Sequence, residues 1–273
     1  PNPADHTKNT TNNMTSTNHK LYENPKPRNQ ETTNPSCIFS KMAAQVLEQQ
    51  QRPPLLGEEF PDFDCETSQG PIKFHEYIKD SWAVLFSHPA DYTPVCTTEL
   101  GMVAKYEDKF KARGVKMIAL SCDTVEDHKG WIKDIIAVND LPGNDLPFPI
   151  IADKKRDLAL KFGMLDPVEK DAAGLPMTAR AVFILGPDRK LKLSLLYPAT
   201  TGRNFDEIIR VIDSLQLTVN EKLATPANWE AGKDCIIVPS VSDEVAKTKF
   251  PKGFTKKEVP SGKSYLRYTP DPR

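Results

Sequence analysis

The chain has 273 residues, with 36 Lys and Arg against 37 Asp and Glu for a formal net charge of -1, and 38% of its residues are hydrophobic. That balance excludes a protein that grips nucleic acid through a clustered basic excess, and apolar runs such as Ala181–Leu185 fall far short of the roughly 20 residues that cross a bilayer. The length supplies a core for one or two domains, and the 24 prolines stand well above the usual share of roughly 5 %.

Residues 1–52 are rich in Asn, Thr, Pro, Gln and Lys and poor in apolar side chains. Such a segment cannot bury enough surface to offset its ordering entropy, so it is expected to be a disordered extension. It has no apolar h-region of a secretory signal, and Asp5, Glu23 and Glu31 are foreign to an acid-poor transit peptide. A helix-compatible run follows Met42, and Met14 or Met42 is the expected biological start.

Residues 55–218 alternate short apolar runs with amphipathic ones. Residues 83–86 read as a buried strand, and Thr97 to Lys111 as a helix with Leu100, Val103, Ala104 and Phe110 on one face and Gly114 beyond its end. A second strand spans 115–121, then a helix from Thr124 to Val138 whose N-cap is Asp123 or Thr124. A third strand over 148–151, a helix over 156–162, a hairpin of 181–185 with 191–196 and a helix over 204–217 complete the unit. The fold class is therefore α/β, a mixed sheet with helices on its faces. Residues 219–273 are broken by Pro226, Pro239, Pro251, Pro260, Pro270 and Pro272 and hold too little apolar material to fold alone. They are expected to form a small C-terminal domain that packs on the first one or on a partner subunit.

The five cysteines, at 37, 65, 96, 122 and 235, contain no C-x-x-C pair and no regular spacing. That pattern suits neither a disulfide framework nor a zinc cluster, and it fits a reducing compartment such as the cytoplasm. The default reading of each is a small buried hydrophobe, with Cys37 in the N-terminal extension and Cys65 and Cys122 as packed or strand-end residues. Cys96 differs because it lies between a buried strand and a helix, in the first helical turn, where unpaired N–H groups and the macrodipole favour negative charge on sulfur. Thr93 precedes it by three residues and can turn its hydroxyl toward the sulfur as a donor, while Pro94 stiffens the turn and contributes no N–H.

The run Thr93-Pro94-Val95-Cys96-Thr97-Thr98-Glu99 resembles the active-site motif of the peroxiredoxins. Further matches are Ser87-His88-Pro89, Ser121-Cys122-Asp123, the segments 149–153 and 178–183, and Tyr197-Pro198-Ala199-Thr200-Thr201-Gly202-Arg203-Asn204. The last of these and the C-terminal extension are similar to the 1-Cys subfamily. The resemblance implies a thioredoxin-like fold with a central mixed sheet, an extra C-terminal domain and a homodimer. It implies Cys96 as the peroxidatic thiolate, Thr93 as the hydroxyl that orients the peroxide, and Arg180 as the guanidinium beside the sulfur. Pro94, His88 and Glu99 are implied supporting residues. Glu99 either orients Arg180 or is a solvated carboxylate, and His88 either shapes the pocket or caps a turn.

The same resemblance implies a thiol peroxidase acting on hydrogen peroxide and organic or lipid hydroperoxides, with no metal and no prosthetic cofactor. Cys235 lies in Asp234-Cys235-Ile236 rather than the Val-Cys-Pro context of a resolving cysteine. An outside thiol is therefore expected to reduce the sulfenic acid, glutathione by resemblance, with glutathione S-transferase as a candidate partner. Subfamily members are also described as phospholipases A2 with a Ser, His and Asp set, and the matching residues are Ser81, His75 and Asp188. Here Lys79 and Ala83 occupy the glycine places of Gly-x-Ser-x-Gly, which a strained nucleophile elbow needs. A redox-sensing or chaperone-like binding protein on the same scaffold is the alternative from another class. Dithiol exchange is excluded at this site, because Thr93 stands where C-x-x-C has its first cysteine.

Overall fold

The computed structural model describes residues 52–273. The expectations for the N-terminal extension, for Met14 and Met42 and for Cys37 lie outside the described residues.

A short antiparallel pair, β1 (Asp64–Cys65) and β2 (Ile72–Lys73), leads into helix α1 (Phe74–Ile78). Strand β3 (Trp82–Ser87) then delivers the chain to α2 (Pro94–Lys105) and α3 (Glu107–Lys111). Strand β4 (Val115–Ser121), helix α4 (Val125–Val138), strand β5 (Ile150–Ala152) and helix α5 (Asp157–Lys161) come after them. Two hairpins are next, β6 (Leu165–Lys170) with β7 (Pro176–Thr178), and β8 (Arg180–Leu185) with β9 (Leu191–Tyr197). Helix α6 (Phe205–Glu221) closes the set.

The five-stranded sheet has the order β5-β4-β3-β8-β9, with β3, β4 and β5 parallel and β8 and β9 antiparallel. Alternation along β3 divides the core into two layers. Val84 and Phe86 face Leu100, Trp131, Phe148 and Ile208, whereas Ala83 and Leu85 face Phe60, Phe74, Phe162 and Phe183. Both faces of the central strands are thus buried, which is why they read as continuous apolar runs.

Residues beyond α6 form β10 (Leu223–Ala224), β11 (Cys235–Ile237), helix α7 (Asp243–Lys249), β12 (Thr255–Lys256) and β13 (Arg267–Thr269). The strands make an antiparallel sheet of order β10-β11-β13-β12 around Trp229, Cys235, Ile237 and Phe250. Leu217 of α6 belongs to this cluster, and Arg210 of α6 donates to the Trp229 carbonyl at 3.0 Å.

Several elements differ from the sequence reading. The helix expected over 97–111 begins at Pro94, because proline at the first helical position gives up no needed N–H. It breaks at Tyr106, whose N–H is shared between the Met102 and Val103 carbonyls, and the chain restarts as α3 so that Phe110 reaches the core. Thr124, not Asp123, caps α4, in a capping box with Asp127. Asp123 turns its carboxylate elsewhere, to the Asp91 N–H and the Ser121 hydroxyl. The third strand starts at Ile150, since Pro149 has no N–H for the ladder.

Candidate active site

The C-terminal end of β3 and the start of α2 are tied to the strand opposite by side chains. Ser87 Oγ donates to the Ala179 carbonyl at 2.6 Å and accepts from Ala181 N–H at 3.0 Å. Thr178 Oγ1 donates to the His88 carbonyl at 2.5 Å. These bonds register the loop before Cys96 against Arg180, which opens β8. In α2 the first intrahelical bond runs from Thr97 N–H to the Thr93 carbonyl, so the N–H groups of Val95 and Cys96 have no partner within the helix and point out of its N-terminus.

The Cys96 sulfur sits in this turn, fully buried. Arg180 Nη1 donates to Sγ at 3.3 Å and to Glu99 Oε2 at 2.7 Å. Its Nε and Nη2 both donate to the Ala199 carbonyl, at 2.9 and 2.5 Å. Glu99 in turn binds a second guanidinium. Arg203 donates to it from the backbone N at 2.7 Å, from Nε at 3.0 Å and from Nη2 at 2.8 Å, and Arg203 Nη1 reaches the Ala181 carbonyl at 2.8 Å. Arg180, Glu99 and Arg203 are 2%, 3% and 7% exposed, so this is a buried triad of two cations and one anion. Burial alone would raise the Glu99 carboxyl, but the charge and hydrogen bonds of Arg203, with Arg180 beyond them, hold it below the usual carboxylate range. Of the two readings of Glu99, the solvated carboxylate is therefore wrong. Nothing in the sequence singles out Arg203, although it stands in the run that carries the resemblance.

The Thr93 hydroxyl is placed differently from the sequence expectation of a donor to sulfur. It donates to the Ala90 carbonyl at 2.8 Å, which leaves only oxygen lone pairs to offer an incoming group. His88 is completely buried and its Nε2 lies 2.8 Å from Asp91 Oδ1, so it belongs to a side-chain network rather than to a capped turn.

Among the described residues, the other cysteines, Cys65, Cys122 and Cys235, present no such setting. Burial pushes the Cys65 and Cys122 thiols up to about 12. Burial and the Asp271 carboxylate raise Cys235, which is packed in the core of the C-terminal sheet. Cys65, Cys96, Cys122 and Cys235 are all free thiols.

Ser81, His75 and Asp188 are not brought together: among the described residues no hydrogen bond or ion pair joins any two of them. His75 Nε2 is 2.7 Å from the Phe60 carbonyl, to which it can only donate, so that nitrogen is not available to take a proton from serine. The carboxylate near His75 is Asp62, at 4.0 Å, whereas Asp188 pairs with Lys192 at 2.6 Å. Ser81 lies in the turn after α1, and Lys79 there adopts φ 46 where a glycine would be unstrained.

A cysteine at a helix N-terminus on a thioredoxin-like sheet, facing an arginine held by a buried carboxylate, defines a thiol-based redox enzyme. Comparison with known proteins gives the family. The AhpC/TSA family model matches residues 56–194, and the C-terminal domain of 1-Cys peroxiredoxin matches residues 214–253. The chain is 63% identical to peroxiredoxin-6 of Gallus gallus over 219 residues, which covers 80% of this chain and 98% of that protein. It is 59% identical to peroxiredoxin-6 of Homo sapiens over the same length and shares of the two chains. Among solved structures, a cysteine-to-serine mutant of the peroxiredoxin 6 of Arenicola marina is 60% identical with a TM-score of 0.78, covering 80% of this chain and 99% of that one. A yeast mitochondrial 1-Cys peroxiredoxin is 44% identical with a TM-score of 0.71, covering 79% and 99%. The chain belongs to the peroxiredoxin family and is a thiol peroxidase, an oxidoreductase that needs no prosthetic cofactor. No helix among the described residues is long and apolar enough to cross a membrane.

Proposed function

We propose that Cys96 is the peroxidatic cysteine and that the chain reduces hydrogen peroxide and organic or lipid hydroperoxides with an external thiol. The observation that carries this reading is the 3.3 Å contact between Arg180 Nη1 and Cys96 Sγ. A guanidinium keeps its charge at all working pH values, so it favours the thiolate and remains a donor throughout the reaction. The Cys96 thiolate attacks the distal oxygen of ROOH; the S–O bond forms as the O–O bond breaks, Cys96 becomes sulfenic acid, and the leaving alkoxide takes a proton to give ROH. Negative charge develops on the departing oxygen, and Arg180 with the N–H groups of Val95 and Cys96 provides fixed donors for it. Thr93 works in the opposite sense. Its hydroxyl proton is engaged by Ala90, so its oxygen accepts the hydroperoxide O–H and orients the molecule toward sulfur.

The sulfenic acid is then reduced by glutathione: one thiol displaces water to form a mixed disulfide at Cys96, and a second releases the thiolate and glutathione disulfide. The solved yeast relative is described by a thiol-resolving mechanism via glutathione/thioredoxin systems, and the buried setting of Cys235 supports an outside reductant here. Glutathione S-transferase is the candidate partner for delivery. The free thiols suit a reducing, cytoplasmic setting. Strand β9 is an edge of the five-stranded sheet, with Leu196 65% exposed; pairing of this edge with its copy across a twofold axis is the proposed homodimer. Peroxide-dependent turnover with glutathione, with and without glutathione S-transferase, against turnover with thioredoxin tests the reductant. Turnover with thioredoxin alone would contradict the assignment.

A further inference from the structure

Beneath the loop that carries Thr93 lies a buried network that the chemistry above does not use. His128 of α4 turns Nδ1 to Asp91 Oδ2 at 2.6 Å, and the other carboxylate oxygen lies 2.8 Å from His88 Nε2. The His128 ring is held at its far side too, with Nε2 3.2 Å from the Ile151 carbonyl of β5. The Asp91 N–H donates to Asp123 Oδ2 at 2.9 Å. His88 and His128 are completely buried and Asp91 nearly so. Burial works against the Asp91 charge, but the bonds from His128 and His88 bring its pKa down to about 2, so it is a carboxylate under all working conditions.

Asp91 bears on the site through its neighbour in the chain, Tyr92. Tyr92 adopts a left-handed backbone, φ 55, which a side-chain-bearing residue keeps only where its surroundings impose it. One constraint is the anchored Asp91 before it; another is the Thr93 to Ala90 bond after it. The third is α4 itself. A Cβ at Gly130 would lie 2.3 Å from the Tyr92 hydroxyl, so the tip of Tyr92 packs on the bare backbone of α4, two residues from His128, and a side chain at 130 would have to displace it.

We infer that His128 is a positioning residue for the peroxide: acting through Asp91, it holds the 88–93 loop so that the Thr93 oxygen stands where the hydroperoxide proton arrives. The inference rests on the proposed roles of Cys96 and Thr93.

Two reactions of Cys96 separate this role from a merely structural one. Oxidation by hydrogen peroxide needs the Thr93 oxygen, whereas alkylation by iodoacetamide needs only the thiolate that Arg180 holds. Stopped-flow rate constants for both are compared in wild type, His128→Ala and His128→Asn; the asparagine amide can replace the Nδ1 donor. His128→Ala is expected to slow oxidation by about tenfold or more, the scale of a small misplacement of a reacting group, with alkylation unchanged. His128→Asn is expected to recover most of the loss. Where His128→Ala fails to fold, Asp91→Asn replaces it with the same selective loss expected. Equal losses in both reactions, no loss, or an Asn variant as slow as Ala would overturn the inference. Wild-type Cys96 that alkylates but does not react with peroxide would overturn the site reading and the inference together.

Discussion

Arg180 touches Cys96 and Glu99 with one nitrogen: Nη1 is 3.3 Å from the sulfur and 2.7 Å from the carboxylate. Because Nε and Nη2 are both committed to the Ala199 carbonyl, the guanidinium plane is fixed before any substrate arrives. Preorganisation of this kind removes the reorganisation that water would need as charge develops.

Lysine cannot reproduce that fork. Its single ammonium can serve the sulfur, Glu99 or Ala199 but not all three from one place. Arg180→Lys is therefore expected to lower the second-order rate constant for Cys96 oxidation by about 10²–10³, the usual loss for one transition-state donor. Stopped-flow tryptophan fluorescence under pseudo-first-order peroxide provides the readout, and a loss below about threefold would show that charge alone suffices.

Acid stability should carry the signature of Asp91. Its ordinary value of 3.8 falls to about 2 in the fold, where the bonds from His128 and His88 outweigh burial. A depressed folded value means stability that is fully present above the unfolded value and lost as pH falls through the folded one. The contribution is on the order of 2 kcal/mol, lost between about pH 4 and 2. Urea midpoints followed through that window should fall in wild type and run flatter in Asp91→Asn, which starts lower.

Cys235 should be a bystander. Its side chain packs with Trp229, Ile237 and Phe250 in the C-terminal sheet, while Cys96 packs with Leu100 and Phe86 in the main core. Cys235→Ser is expected to leave glutathione-dependent turnover unchanged. Non-reducing mass spectrometry after one equivalent of peroxide should find no Cys96 to Cys235 disulfide; a stoichiometric one would make Cys235 the resolving residue.

The β9 edge is expected to hold the dimer. Leu196→Lys adds a charge to an edge strand, a change that opposes strand pairing. Sedimentation velocity should find wild type as a dimer and Leu196→Lys shifted toward monomer, with an unshifted variant pointing to another interface.

Much of this is legible in the chain because the signals are local. Strand β3 is a continuous apolar run, Pro94 marks a helix start, and the peroxiredoxin motif from Thr93 to Glu99 lies on consecutive residues. What escapes depends on contacts across the fold. Arg203 meets Glu99 across 104 residues, and His128 meets Asp91 across 37; no periodicity or spacing announces either. Strand β6 contains Asp166, Pro167 and Glu169 and so carries the composition of a loop, and only its pairing with β7 makes it a strand. The Thr93 hydroxyl reads as a donor to sulfur because its type permits both roles; the nearby Ala90 carbonyl decides between them.

The central claim is that one sulfur, that of Cys96, carries the peroxidase reaction. Peroxide consumption coupled to glutathione reductase and NADPH, compared between wild type and Cys96→Ser, tests it most directly. The account predicts that the serine variant folds as wild type by circular dichroism and consumes no peroxide above the uncatalysed rate. Consumption by the folded serine variant at a rate close to wild type would contradict it.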